Sequence, residues 1–372
     1  MADNIVSLIT GTGSTIPSAD HHYLGNAAQQ KFFVLTLTKR AVPYLVLFED
    51  AQMTTIPKNS GGFGANGQIS FRKISALWDP AVDGATGIAP VALVEGVPPA
   101  PKDLEISEVG AGLKQYGDWI KISDLAETAS VDGILVHAAE ALGEYEGQKL
   151  HRVMLFALEA TTNSWWGTGP VVTTETPFAT NTASTTVAPI DTDAEITAGM
   201  KLDAPTIRKL VRTMKVNNAA RFNDGFYHMI IDPFVSNDLL TDTEFVDLAK
   251  YNGGAAVQGG INLLTGEVGK GWGVRFKEAN ELLSGLSTTS VKTFHSYLYG
   301  PNGFGMLDLA GMAVRKIDPR TNRGIAIYSQ PVNRPDKTDP LGQTGFVSAK
   351  VAFAGIVFDP VQVMKVVTAA SA

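Results

Sequence analysis

The chain contains no cysteine. A disulfide framework, a thiolate-held metal and a cysteine nucleophile are therefore all excluded. It also lacks a long apolar run. The stretch VAFAGIVF, Val351 to Phe358, falls far short of the ~20 residues that cross a bilayer. The opening residues, MADNIVSLITG, carry no basic segment ahead of their apolar positions, so they predict no signal peptide, and the expectation is a soluble protein. Positive charge is scarce too, with 30 Lys and Arg against 37 Asp and Glu and a net charge of −7. Proteins that grip nucleic acid draw most of their affinity from neutralising phosphates with a basic face. No basic cluster is visible, and tight DNA or RNA binding is not expected.

What remains is a globular composition. At 372 residues there is room for one large or two ordinary domains and a sizeable core. The 37 glycines and 19 prolines predict many turns and irregular connections. No internal repeat is present.

Residues 1 to about 30 show no sustained period and read as an arm, ordered only by what holds it. Residues 31–50 (KFFVLTLTKRAVPYLVLFED) are strongly apolar around Pro43 and should be buried, although their period does not separate helix from strand. In QISFRKI (68–74), Ile69 and Phe71 alternate with Ser70 and Arg72 as in a strand. About thirty aperiodic residues follow, holding Pro80, Pro90, Pro98, Pro99 and Pro101. A second extended run begins at Leu104, meets a glycine irregularity near Gly110, and continues through Ile120 and Ile122 to Ser123. Two strands joined by a proline-rich tip make an outsized hairpin. An isolated two-stranded ribbon is marginal in water, so something outside must hold it.

Asp124 to Glu127 (DLAE) fits a capping box. A helix over 131–160 follows, with Leu135, Ala138, Leu142, Leu150, Val153, Met154 and Ala157 at three- and four-residue spacing and a length of about 45 Å. Gly143 and Gly147 inside it each cost about 1 kcal/mol against alanine and predict close approach of another backbone. Residues 161–200 are threonine-rich and suit a loop or exposed hairpin. A second helix opens at Asp203, with Pro205 in its first turn and Ile207, Leu210, Val211 and Met214 inward. From 221 to 345 short strands and helices mix, and Asp-Pro pairs ending at Pro80, Pro233, Pro319, Pro340 and Pro360 mark turns.

The residues capable of chemistry do not assemble into a catalytic or metal-binding pattern. GFGANG (62–67) has the letters of a dinucleotide signature, but a strand follows where the signature needs a helix, so a loop is the plainer reading. GEVGKGWG (266–273) resembles a phosphate loop only loosely, because Lys270 is followed by glycine. The six histidines are His21, His22, His137, His151, His228 and His295, and none stands at a spacing that puts two ring nitrogens on one metal. His21 and His22 read as solvated in the arm, and His137 and His151 as interface or surface residues of the long helix. Asp238, Asp242 and Glu244 are the nearest carboxylate cluster, and they read as a helix start. The expectation is no catalytic residue, no cofactor-binding residue, no metal site and no cofactor.

Several short motifs in order carry a resemblance: Glu95-Gly96, then QYG (115–117), then Ser123-Asp124 before the long helix, then GEVGKGWGVRF (266–276) and DPLGQTGFVSAK (339–350). From about residue 40 onward the chain resembles the major capsid proteins of tailed bacteriophages, in the branch named after the podovirus N-four. The resemblance implies an α+β chain with the Hong Kong 97-type shell fold. Its parts would be an N-terminal arm and leading peripheral segment (1–56), an extended loop (57–112), a peripheral domain with a spine helix (113–200), an axial domain (201–340) and a return to the peripheral domain (341–372). Some relatives cross-link subunits through a lysine and an asparagine. Lys58, Lys73 and Lys102 lie in the presumed loop, but no acceptor is identifiable, and they read as ordinary charges.

The resemblance further implies a homo-oligomer of hexamers and pentamers in an icosahedral virion shell, assembled in the bacterial cytoplasm. Portal and scaffolding proteins are implied partners, a decoration protein is a possible one, and double-stranded DNA is enclosed without sequence-specific binding or any membrane. The net acidity suits a container whose wall should not trap the DNA inside it. The alternatives are a cellular nanocompartment shell of the same fold and, from another class, a cytosolic hydrolase with a β-rich substrate domain.

Overall fold

The computed structural model describes residues 40–41, 46–56, 68–74, 106–129, 134–167, 171–173, 192–252, 269–288, 290–309, 326–330 and 339–371, with Ala92, Glu95 and Gly96 besides. In chain order its strands are β1 (Gln52–Ile56), β2 (Gln68–Ile74), β3 (Ile106–Gly112), β4 (Lys114–Ser123), β5 (Asn163–Trp166), β6 (Val171–Thr173), β7 (Tyr227–Ile231), β8 (Lys270–Gly271), β9 (Val274–Glu278), β10 (Ser284–Leu286), β11 (Lys292–Tyr299), β12 (Phe304–Leu309), β13 (Ala326–Gln330), β14 (Thr344–Val357) and β15 (Val363–Ala369). The helices are α1 (Asp124–Ala129), α2 (Ile134–Glu159), α3 (Ala204–Val216), α4 (Pro233–Thr241) and α5 (Thr243–Asn252).

The expected long helix is α2, and its 26 residues span about 39 Å. Its apolar positions Leu142, Leu150, Met154, Leu155 and Leu158 are buried. They share a core with Val347, Ala349, Val351 and Phe353, which alternate along one face of β14. Fully burying one such side chain contributes about 1.5–3 kcal/mol, so this face alone accounts for much of the docking of the helix. Two glycines set how close it comes. A Cβ on Gly355 of β14 would lie 2.8 Å from the Met154 sulfur and 3.0 Å from the Ala157 Cβ. A Cβ on Gly147 would lie 2.8 Å from the Ala41 carbonyl oxygen and 2.9 Å from its Cα. The backbone approach expected at Gly147 is therefore present, and residues 40–41 are its source.

Residues 46–49 form a short 3-10 turn that buries Leu47 and Phe48 in this core, as the apolar composition of 31–50 requires. The Phe48 ring stacks on Phe353 with centroids 5.5 Å apart.

β14 organises the first sheet. On one edge its residues 344–353 pair antiparallel with β4. On the other, β13 takes 346–350 and β12 takes 353–357, and β1 adds in parallel outside β12. The second sheet runs β6-β5-β15-β11-β7-β9-β8, with β10 also on β11. All five residues of β7 are buried, because the strand is covered on both faces. Ile230 faces the α2 core, while Tyr227, Met229 and Ile231 face a second core built on α3. That helix starts as expected: the Asp203 carboxylate accepts from the Thr206 N–H at 2.9 Å, and Ile207, Leu210, Val211 and Met214 point inward. Residues 344–369 serve both sheets, since β14 lies in the first and β15 in the second, joined by a 3-10 turn capped by Asp359.

Three local expectations change. The helix after β4 is capped by Ser123, whose hydroxyl accepts from the Ala126 N–H at 3.3 Å, one residue ahead of the box centred on Asp124. The break in the second extended run falls at Leu113 and not at Gly110, which pairs with Ser70 in regular register. Leu113 instead turns inward onto an apolar cluster. Two of the Asp-Pro pairs open helical turns: Asp232 accepts from the Phe234 N–H and Asp359 from the Val361 N–H. The arm (residues 1 to about 30), GFGANG (62–67), most of the proline-rich tip and Lys58 and Lys102 lie outside the described residues.

The Gly147 contact gives a sign test. In an open helix Gly147→Ala should stabilise by about 1 kcal/mol through helix propensity. Against the backbone of Ala41 it should instead destabilise, by roughly 1–3 kcal/mol through overpacking. Urea denaturation of the purified chain, followed by circular dichroism, reads the difference, and a more stable variant would refute the close approach.

Candidate functional site

Strands β2 and β3 form a sheet of their own, paired antiparallel from Gln68↔Gly112 to Ile74↔Ile106. Among the described residues its anchorage is at the base. Val109, Ala111 and Leu113 meet Leu307, Ala354, Ile356 and Phe358 of the first sheet. On the opposite face of β3, Ile106 is 54% exposed, and Glu108, Gly110 and Gly112 are exposed as well. The two expected strands thus pair, and one face of β3 is exposed among the described residues. Lys73 lies in it, opposite Ser107.

Beside the hairpin, β4 and β14 carry an open groove of about 1030 Å³. Tyr116 and Ile120 of β4 pack toward α2, so Trp119 and Lys121 face the other way. Trp119 is 62% exposed and meets Phe346 edge-on at 6.4 Å. A third surface is the outer side of α2. There Tyr145 and Phe156 are exposed, with Lys149 and Arg152 over their rings.

The titratable groups collect inside, in two networks. His295 Nδ1 lies 3.0 Å from Glu159 Oε2 and its Nε2 3.1 Å from Asp193 Oδ1. The Tyr297 hydroxyl and Lys365 Nζ donate to the same Glu159 carboxylate at 2.8 and 3.1 Å. Burial by itself pushes the His295 imidazole down, but its hydrogen bonds to Asp193 and Glu159 outweigh that and hold it at about 9. Burial likewise raises Glu159, yet His295, Lys365 and Tyr297 hold it below the usual carboxylate range. Asp193 is lowered chiefly by its bond to His295. In the second network, His228 sits 2.9 Å from Asp50 and 3.2 Å from Asp224, with Lys277 2.8 Å from Asp50. The Tyr299 hydroxyl donates to Asp50 at 2.8 Å. Burial raises Asp50, and His228 and Lys277 overcome it to leave the carboxyl at about 2.

Neither network has the layout of general-base catalysis. Each imidazole has a carboxylate at both nitrogens, so neither nitrogen is free to take a proton from a nucleophile. They join elements instead. The first ties the end of α2 to β11, β15 and the 192–195 turn, and the second ties residue 50 to β7, β9 and β11. Among the described residues no group of three or more His, Asp or Glu could hold a metal ion.

The other candidates fall into place singly. His137 is exposed beside Glu140, but His151 is 4% exposed and belongs to the interior, contrary to the surface or interface reading. Burial pushes its imidazole down to about 4, so it is neutral there. One turn and a half earlier, buried Glu146 is pushed up to about 7 by the same cause. Asp242 accepts from the N–H groups of Ala204 and Glu244 and Glu244 lies in the first turn of α5, as a helix-start role requires, whereas Asp238 sits within α4 and accepts from the Ser371 N–H, contrary to that reading. In GEVGKGWG, Trp272 and Gly273 have φ of +48° and +88° between β8 and β9. They make a tight hairpin turn, and Lys270 lies over the Phe226 ring. His21 and His22 lie outside the described residues. Sequence reasoning did not foresee His228 and His295 as hubs. The available signal was an imidazole inside each of two strongly apolar runs, FYHMII and TFHSYLY.

No protein-family model and no curated protein matches this chain. Solved structures do resemble it. The capsid of cyanophage Pam1 superposes with a TM-score of 0.57 at 12% identity, over 89% of this chain and 92% of that one. The capsid of Ralstonia phage GP4 gives 0.54 at 12% identity, over 87% and 91%. The acid-stable capsid of Helicobacter pylori bacteriophage KHP30 gives 0.54 at 12% identity, over 86% and 88%. The chain therefore has the α+β Hong Kong 97-type fold of phage capsid subunits.

The His295 network predicts a pH profile. An imidazole at about 9 when folded and 6.5 when unfolded stabilises fully below pH 6.5 and loses that contribution as pH rises through 9. The lowered Glu159 and Asp193 contribute above their unfolded values of 4.5 and 3.8 and lose it in acid. Glu146, raised to about 7, adds a loss of its own between 4.5 and 7, so the informative range is above pH 7. There the wild type should lose roughly 2–3 kcal/mol, and His295→Gln, less stable at neutral pH, should show a flattened slope. Urea denaturation of the purified chain across this range checks it, and an unchanged slope would contradict the assignment.

Proposed function

We propose that the chain is the major capsid subunit of a tailed bacteriophage, self-assembling into an icosahedral shell around double-stranded DNA. The observation that carries this is the β2–β3 hairpin, a two-stranded ribbon whose β3 strand has one exposed face, on a subunit that shares its fold with phage capsids. Such a ribbon is marginal alone, and a neighbouring copy supplies the missing contacts. Each subunit then gives structure to one neighbour and takes it from another. Contacts of this head-to-tail kind close into rings and shells when the rotation permits.

In this reading the extended loop is 57–112, the peripheral domain is 113–200 with the spine helix α2 and the returning segment 341–372, and the axial domain is 201–340. The loop and the arm make lattice contacts, hexamers and pentamers share the same subunit, and portal, scaffolding and decoration proteins are its partners in the host cytoplasm. The work is structural, and the buried ion networks belong to the fold.

Expression of the full chain should yield closed particles tens of nanometres across in negative-stain micrographs. Replacing residues 68–112 by a short glycine-serine turn should leave far-UV circular dichroism close to normal and abolish closed particles, with free capsomers or monomers in their place. Closed containers formed without the hairpin, or a stable monomer from the intact chain, would sink this reading.

A further inference from the structure

On the face of β4 turned toward α2, Asp118 stands between Tyr116 and Ile120, which pack on the core. Lys149 of α2 reaches across to it, and the Lys149 Nζ lies against the Asp118 Oδ2. One turn earlier on the same helix face is Glu146, 3.4 Å from the same Nζ and fully buried. The Tyr145 ring flanks the amine at 4.9 Å. One cation therefore faces two carboxyl groups at a site largely closed to water, where a carboxylate without a full partner is costly. The second oxygen of Glu146, Oε2, has no hydrogen-bond partner among the described residues. Burial pushes the Glu146 carboxyl up to about 7, so near neutral pH it holds a proton much of the time. Burial also draws the Lys149 amine down.

An amine, a carboxyl group in contact with it and a third group able to hold and return a proton are the complete requirement for an amide bond. We propose that Lys149 and Asp118 join as an isopeptide within one subunit, with Glu146 carrying the proton. The ammonium first passes a proton to the Asp118 carboxylate, a neutralisation that loss of water favours. The free amine then attacks Asp118 Cγ while Glu146 protonates the carbonyl oxygen. The Glu146 carboxylate takes a proton from the attacking nitrogen and returns it to one of the two hydroxyls on Cγ. That hydroxyl leaves as water when its Cγ–O bond breaks, and the other gives its proton back to Glu146. One N–C bond forms, one C–O bond breaks, one water departs and Glu146 ends as it began. Nothing is oxidised or reduced. Holding the two reactants together gives them a high effective concentration, which lets the loss of water proceed in an aqueous medium. The place of the bond gives it a use. β4 pairs with β14 alone among the described residues, and the tie fixes this edge strand to α2. It also closes 118–149 into a loop and so restricts the unfolded chain, as a disulfide does in proteins that have cysteine. The bond lies inside a single chain and does not depend on the shell reading.

Mass spectrometry of the purified full chain in denaturant tests it. The wild type should be lighter than its sequence by one water. Trypsin should fail to cut after Lys149, and fragmentation spectra should join 115–121 to 122–152 through the side chains of Asp118 and Lys149. Lys149→Arg keeps the positive charge and Asp118→Ala removes the acceptor, and each should show the full mass of its own sequence. Glu146→Gln puts a neutral amide in place of the acid. It should keep the far-UV circular dichroism of the wild type and lower the cross-linked fraction by about tenfold or more. A wild type of full mass, with Lys149 open to trypsin, means an ion pair only and overturns the proposal, and that reading needs no variant to fold. A missing water that the fragments place at another residue overturns it equally. A bond formed as completely in Glu146→Gln overturns the role given to Glu146.

Discussion

The first sheet depends on what pairs along Thr344–Val357. At Phe353 the strand is held from both edges, by Lys114 of β4 and by Asp308 of β12, while its ring stacks on Phe48 inside the core. Two residues further on, Gly355 gives up its side chain so that Met154 and Ala157 can approach. One strand thus sets the sheet order, the seat of the long helix and, through β4, the place where the hairpin leaves the body. A register slip of one residue would turn its buried face outward and unseat all three.

The ion networks do a different job. Apolar packing between the end of α2 and the second sheet would tolerate several orientations, whereas Glu159 with three polar partners tolerates one. A misdocked end would strand a buried charge, and removing one partner from such a pair costs about 3–5 kcal/mol. The second network does the same for residue 50 and the strands beneath it, from positions as far apart in sequence as Asp50 and Tyr299.

What the sequence revealed was local. The spacing along 131–160 found α2 within three residues at its start and one at its end, and Asp203 with Pro205 found the opening of α3 to the residue. The alternation in QISFRKI and the run after Leu104 found the hairpin, and its lack of neighbours pointed to other copies. What stayed hidden was non-local. His295 lies 136 positions from Glu159 and 102 from Asp193, and no spacing rule links them. His151 misled because it lies on a helix with a polar exterior, and only the fold decides which face meets the core. The Trp272-Gly273 turn could have been read from two residues needing positive φ, but the glycine spacing around Lys270 drew attention to phosphates instead.

β14 and β15 lie in the interior of their respective sheets, between β4 and the β12–β13 edge in one and between β5 and β11 in the other. Both come from residues 344–369, so β4, β12 and β13 in one sheet and β5 and β11 in the other, all made earlier on a ribosome, wait for a partner strand. A nascent chain therefore reaches its final shape only once that stretch has emerged, and cooperative closure of both layers follows in a single late event.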